Sequence, residues 1–462
     1  MAKTNRYLPI LIILLLGLGL RLININQSFW LDEASQANLS SLPLHQIWYG
    51  RGGDFHPPLF YFLVHTWLIF GRSEIWLRTL PLTFGIANIF IIYLLARDLF
   101  PQMESKIRYL SALLLAISPF HIYYSQELRM YSLLCLLGTM SMYFFFRRRY
   151  LLLSVFNTLL LYTHYSAIFL IATQLIYVVM YSRKELKSFT FSFLLSAFSY
   201  LPWLPQFYRQ LNSGLNIDTY LPGWRQVLSI SPLKAFPVIV FKLVAGRISF
   251  ISRIVYGIYI VFVFTVTFLA LVISPRPKRQ LVIWVFFPVI LLLLTSLALP
   301  QNQPFRVIYV LPGFILLFAR ACIRYPKLIV TLVCYIFIVG DIAYFTRPRL
   351  QRENWRDASA FLSRQQTAVV VKFSDRFAPL AWYAPDLPVV GPVSTFPAAY
   401  QPVFEKLGPA LATSTRVYLL QYLTDLTDPH REVDRVIENL GFSQTKIHDF
   451  SGVGFIYEYS RQ

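Results

Sequence analysis

Apolar stretches separated by short basic clusters run through the first three-quarters of the chain. Residues 7–26 form the first, with Lys3 and Arg6 ahead of them and no small-residue cleavage site behind, so they read as an uncleaved anchor with its N-terminus in the cytoplasm. Ten further runs follow, at about 79–97, 109–122, 131–146, 150–162, 166–181, 188–203, 252–273, 281–298, 307–320 and 327–345. Roughly eleven membrane-spanning helices are predicted. The basic clusters test the count. Lys106 with Arg108, Arg147 to Arg149, Arg183 to Lys187 and the stretch 275–280 all fall on one side, as cytoplasmic loops require. The loop 27–78 and everything from 347 onward then lie outside. Within that loop, Pro58 to Gly71 is apolar but too short to span, and it predicts a helix lying at the interface, with Pro57 and Pro58 suited to its start.

The pattern changes after residue 346. AVVVKF (Ala368 to Phe373), RVYLLQY (Arg416 to Tyr422) and GFIYEY (Gly454 to Tyr459) read as strands, and Arg431 to Gly441 as an amphipathic helix ending on glycine. The expected organisation is a polytopic α-helical membrane domain over 1–346, its outer loop 27–78 carrying an acidic motif, and a small soluble extracytoplasmic α/β domain over 347–462.

Composition agrees. The chain of 462 residues is 56% hydrophobic and 14% charged, against about 25% charged in soluble proteins. Its net charge of +20 sits in short loops between apolar runs, where it sets topology, and this argues against nucleic acid as a partner. Cys135, Cys322 and Cys334 lie in or beside apolar runs with no metal or disulfide spacing.

Candidate chemistry gathers in the outer turns. SFWLDEASQ places Asp32 and Glu33 beside Trp30 at the membrane boundary, and GGDFHPPLF adds Asp54 and His56. SPFHIYYSQELRMY offers Gln126, Arg129 and Tyr131; YTHYS offers His164; NQPFRVIY offers Arg306. Each has a plain alternative: a solvated helix start for the acids, snorkelling for the arginines, an interfacial aromatic anchor for YTHYS. Together they bring carboxylates and guanidinium groups to one membrane face, as a site handling a lipid-bound anion and a hydroxyl requires. Asn38 to Ser40 also matches a glycosylation acceptor triplet.

The ordered set LDE, D-x-HPPL, RTLPLTFGIANIFIIYLLARDLF and SPF…YSQELRMYSL resembles membrane glycosyltransferases of the GT-C fold. It is similar in particular to the family of protein O-mannosyltransferases and bacterial lipid A aminoarabinose transferase, well over 1–170, more loosely to 345 and vaguely beyond. The resemblance implies a polyprenyl-phosphate-linked sugar donor used outside the membrane, with Asp32 as base and Glu33 completing its acidic pair. It implies that Asp54, His56, Arg129 and Arg306 serve the donor. The expected reaction is one inverting displacement by an acceptor hydroxyl on lipid, glycan or protein, at the plasma (inner) membrane. No cofactor is required. Asp32, Glu33, Asp54 and His56 can supply ligands to a divalent metal, but their spacing specifies none. The competing reading is a transporter or flippase of lipid-linked or sugar substrates, which would place its charges near the bilayer midplane.

Overall fold

The computed structural model describes residues 7–50, 55–101, 106–220, 222–248, 250, 252–274, 279–373 and 377–461. The chain divides into two compact units. The first comprises Met1–Ile25, Leu44–Leu211 and Leu228–Leu350; the second comprises Asn26–Pro43, Asn212–Val227 and Gln351–Gln462. Residues 26–43, which carry the acidic motif, thus cluster with the C-terminal residues and not with the helices that precede and follow them.

The first unit is helical. Four of its described helices are long and apolar enough to cross a membrane: Glu74–Leu99, Arg253–Ile273, Pro304–Ile323 and Lys327–Thr346. Six more are apolar but shorter: Leu8–Leu22, Leu59–Leu68, Tyr131–Phe146, Tyr150–Leu161, Ala167–Tyr181 and Arg279–Thr295. The local signals are ordinary ones. Ser73 caps helix Glu74–Leu99, accepting the Trp76 amide, and Glu74 complements the helix dipole in the first turn. The short apolar segment after Pro57-Pro58 forms helix Leu59–Leu68.

With apolar surroundings on both sides, polar groups between helices must satisfy one another. Ser141, Asn157 and Gln174, from three helices, do so as a closed triangle. The serine donates to Asn157 Oδ1 (2.6 Å), the asparagine amide to Gln174 Oε1 (3.0 Å), and the glutamine amide back to Ser141 Oγ (2.7 Å). Arg21 is buried likewise, donating to the carbonyls of Gly17 (2.8 Å) and Ala116 (2.9 Å) and to His121 Nδ1 (2.6 Å).

The second unit is built on a five-stranded sheet of order β2-β1-β3-β5-β4. Its strands are β1 (Ala368–Val371), β2 (Val389–Val390), β3 (Arg416–Leu420), β4 (Phe442–Phe450) and β5 (Gly454–Arg461). β1 runs parallel to β2 and β3; β5 pairs antiparallel with β3 and β4. Alternation along the strands divides the core. Val370, Val417 and Leu419 pack with Leu407, Leu411, Val436 and Ile437 on one face. Val369, Val371, Tyr418 and Leu420 pack with Trp355, Leu362 and Leu380 on the other, where Leu31 also lies against the cluster. The predicted strands and helix of the tail are present, while β4, β2 and helices Ala378–Tyr383 and Tyr400–Leu411 add to them.

Candidate functional site

In the helical unit, four separate segments bring five of the expected residues together. The amide of Leu59, just after Pro57-Pro58, donates to Tyr162 O (3.0 Å), which seats the start of helix Leu59–Leu68 on the 162–166 turn. His56 and His164 consequently face each other with ring centroids 5.5 Å apart. The segment Pro304–Val310 reaches the same turn through two bonds: Ser166 Oγ donates to the carbonyl of Arg306, and the Tyr309 hydroxyl donates to Ser166 O (2.8 Å). Gly138 permits this approach. A Cβ there would overlap the Cβ of Tyr309, so only glycine lets helix Tyr131–Phe146 lie this close to 304–310. Tyr131, at the head of that helix, lies 4.7 Å from the Phe305 ring and 6.2 Å from His164.

The electrostatics of this cluster are positive. His164 accepts the Ser166 amide at Nδ1 (3.1 Å), which leaves its other ring nitrogen protonated in the neutral form. Burial first, then the neighbouring His56, Arg306 and Arg129, hold its pKa well below the ordinary range, so His164 is a neutral donor beside two guanidinium groups. Arg306 donates from Nη1 to Pro300 O (3.2 Å), and its buried Nε has no hydrogen-bond partner among the described residues. Arg129 is buried close enough to both groups for its charge to act on them. Aromatic rings beside guanidinium N–H groups are the residue types that recognise a phosphate.

Gln126 stands apart. Its amide donates to the carbonyls of Arg21 (2.8 Å) and Ile23 (2.6 Å), and its oxygen accepts the Tyr344 hydroxyl (2.9 Å). These bonds tie off the end of helix Leu8–Leu22. Asp54 lies outside the described residues.

In the second unit the LDE motif opens helix Leu31–Ser40, with Asp32 and Glu33 in its first turn, where the helix dipole favours carboxylates. Adjacent helical positions point about 100° apart, and burial separates the pair: Glu33 is fully buried while Asp32 keeps partial exposure. The helix is strapped to C-terminal elements of its own unit. The Phe29 amide donates to the Tyr383 hydroxyl (2.7 Å), Asn38 Nδ2 to Ala378 O (2.8 Å) and the Leu31 amide to Glu353 Oε2 (3.1 Å). The bond of Asn38 also occupies the side chain of the acceptor triplet. Glu353 and Tyr422, missed in the sequence, sit near Asp32, whose charge helps burial raise the pKa of Glu353. Glu353 stands just ahead of Asn354, the N-cap of helix Trp355–Gln365, and nothing local along the chain marks it as a neighbour of residue 32. Among the described residues no three His, Cys, Asp or Glu side chains converge as metal ligands would.

Residues 55–208 match the dolichyl-phosphate-mannose-protein mannosyltransferase family. No curated protein sequence matches the chain. Among solved structures, ArnT from Cupriavidus metallidurans bound to undecaprenyl phosphate is similar over 99% of this chain and 98% of its own, at 12% identity and TM-score 0.61. The archaeal oligosaccharyltransferase AglB from Archaeoglobus fulgidus, in complex with an inhibitory peptide and a dolichol-phosphate, is similar over 97% of this chain and 73% of its own, at 12% identity and TM-score 0.56. The mycobacterial arabinofuranosyltransferase AftD is similar over all of this chain but 40% of its own, at 14% identity and TM-score 0.51. The fold is that of the GT-C membrane glycosyltransferases, and the family matched over 55–208 is a glycosyltransferase family.

Proposed function

We propose that the chain transfers a sugar from a polyprenyl-phosphate donor to an acceptor hydroxyl, with inversion, on the extracytoplasmic face of the inner membrane. The observation that carries the proposal is the pair of buried guanidinium groups, Arg129 and Arg306, beside Tyr131, His56 and neutral His164. It supplies what the leaving group of such a reaction needs. A phosphodiester becomes a monoester dianion as the anomeric bond breaks, and guanidinium groups stabilise that added charge. The likeness to a structure bound to undecaprenyl phosphate and another bound to dolichol-phosphate supports the same donor class.

On this reading Asp32 takes the proton of the attacking hydroxyl. A carboxylate is suited to the task because the anomeric carbon gains oxocarbenium character as the leaving group departs. The buried Glu33 shapes the first turn that presents Asp32. His164 donates a hydrogen bond without adding charge. The N-terminus is cytoplasmic, and the C-terminal domain is extracytoplasmic together with the acidic helix.

The test is turnover by the purified protein in detergent, offered a panel of polyprenyl-phosphate sugars, with release of polyprenyl phosphate as the readout. Asp32→Asn is expected to lower turnover at least about a hundredfold, the low end for a general base. Arg306→Ala is expected to weaken donor use while leaving folded protein in normal yield. Full turnover by Asp32→Asn would remove Asp32 from the mechanism, while Asp32-dependent transport into vesicles with no sugar transfer would replace the enzyme reading with a carrier.

A further inference from the structure

The acidic helix has no cap of its own. Trp30 occupies the N-cap position and offers no side-chain oxygen to the unpaired first-turn amides. The acceptor comes instead from far along the chain: Leu31 N–H donates to Glu353 Oε2 at 3.1 Å. Glu353 is itself held on every side. Its Oε2 also accepts the Trp355 indole (2.6 Å), and its Oε1 accepts the Tyr422 hydroxyl (2.8 Å). Its backbone is fixed by the β4–β5 turn. The Asn354 amide donates to Ser451 O (2.9 Å), and Gly452, at φ 76°, lies so close that a Cβ there would sit 2.9 Å from Glu353 Cα. The sheet of the second unit therefore determines where this carboxyl group lies, and the carboxyl group determines where the backbone enters residue 32.

We propose that Glu353 is the positioning residue of the acidic motif: by capping helix Leu31–Ser40 it holds Asp32 in one orientation, which makes the C-terminal domain a working part of the transferase. The inference rests on Asp32 being the base. Its physical basis is the steep dependence of proton transfer and attack on placement, where a displacement of about 1 Å costs about a hundredfold in rate.

The experiment compares kcat and donor KM for variants of the full-length protein. Glu353→Ala removes all three acceptor contacts and is expected to lower kcat about thirtyfold or more, with donor KM within about twofold, because the donor's phosphate is held elsewhere. Glu353→Gln keeps the geometry. Its amide oxygen accepts from Leu31 and Trp355, while its NH2 donates to the Tyr422 oxygen, so kcat is expected within about fivefold of the parent. Leu407→Ala, in the core on the opposite face of the sheet, is the stability control and is expected to leave kcat of the folded fraction near the parent value. Three results would overturn the proposal: Glu353→Ala within about twofold of the parent, Glu353→Gln as impaired as Glu353→Ala, or an equal kcat loss in Leu407→Ala. Failure of the underlying reading looks different, since Asp32→Asn would then turn over normally whatever the Glu353 variants do.

Discussion

Lys372→Met tests a fully buried cation in the second unit. Lys372 immediately follows β1, and its ammonium group has three donors and three acceptors: Asp434 Oδ2 at 2.5 Å, Gln421 Oε1 at 2.9 Å and Asp428 Oδ2 at 3.2 Å. Its side chain has no exposed surface, and those of the two aspartates have 0% and 8%. Methionine matches the length of the stem and removes the cation. Both carboxylates then remain, under about 6 Å apart because they shared one ammonium nitrogen. At an effective dielectric of about 20 that repulsion is on the order of 3 kcal/mol. Breaking a buried ion pair from one side typically costs about 3–5 kcal/mol, and the lower half applies here. Asp428 keeps the amides of Glu432 (2.7 Å) and Val433 (3.2 Å), and Asp434 keeps the Gln421 amide (2.7 Å). A loss of about 3 kcal/mol corresponds to a fall of about 10 °C in the midpoint of a unit this size. The assay is protease resistance of the C-terminal unit as a function of temperature, in detergent-solubilised protein. Lys372→Met/Asp434→Leu, which removes the second charge while leaving the Asp428 cap in place, is expected to recover at least half of the loss. A midpoint for Lys372→Met within about 2 °C of the parent would mean that the site relaxes or hydrates at little cost, and that the two carboxylates do not repel as their separation implies.

Gly138→Ile drives a branched side chain into Tyr309; it is expected to separate 304–310 from helix Tyr131–Phe146 and abolish donor-dependent turnover, read with the yield of folded protein. Arg306→Lys keeps the charge but loses the planar fork, and it is expected to raise donor KM at least about threefold while Arg306→Ala raises it further. Glu353 predicts a pH effect of defined sign. Burial, as the leading cause, raises its folded pKa above the ordinary 4.5. Its contribution to stability is therefore complete below 4.5 and is lost as pH rises through the higher folded value. Stability of the second unit measured against pH is expected to fall across that window in the parent and to stay flatter in Glu353→Gln. An identical slope in both would exclude Glu353 as its source.

Much of the fold is legible along the chain because apolar length and basic punctuation are local properties. The runs at 131–146, 150–162, 166–181 and 252–273 coincide with helices Tyr131–Phe146, Tyr150–Leu161, Ala167–Tyr181 and Arg253–Ile273 to within a residue. The acids at 32 and 33 are visible, and a helix start is one reading of them, but the extent of that helix is not, because ASQANLS carries no apolar periodicity; packing of Leu31 and Asn38 against helix Ala378–Tyr383 and the cap from Glu353 hold it in place. Gln126 shows the converse. Its position beside Glu127 and Arg129 suggested a ligand, and only the folded chain places its amide against the end of the first helix.

Hydropathy and charge by themselves determined that the chain is a multi-pass membrane protein with a mixed α/β tail, since burial of apolar surface and the cost of unpaired backbone in lipid act on each segment separately. They also supplied the residue types of the site. Tertiary structure alone decided which of those residues meet: His56, Arg129, Tyr131, His164 and Arg306 come from four distant segments and converge through backbone and side-chain hydrogen bonds to the 162–166 turn and one small residue at 138. It alone decided that residues 26–43 cluster with the C-terminal domain, because a helix without its own cap takes its acceptor from whatever the fold brings near, and no pattern along the chain encodes a partner 322 positions away.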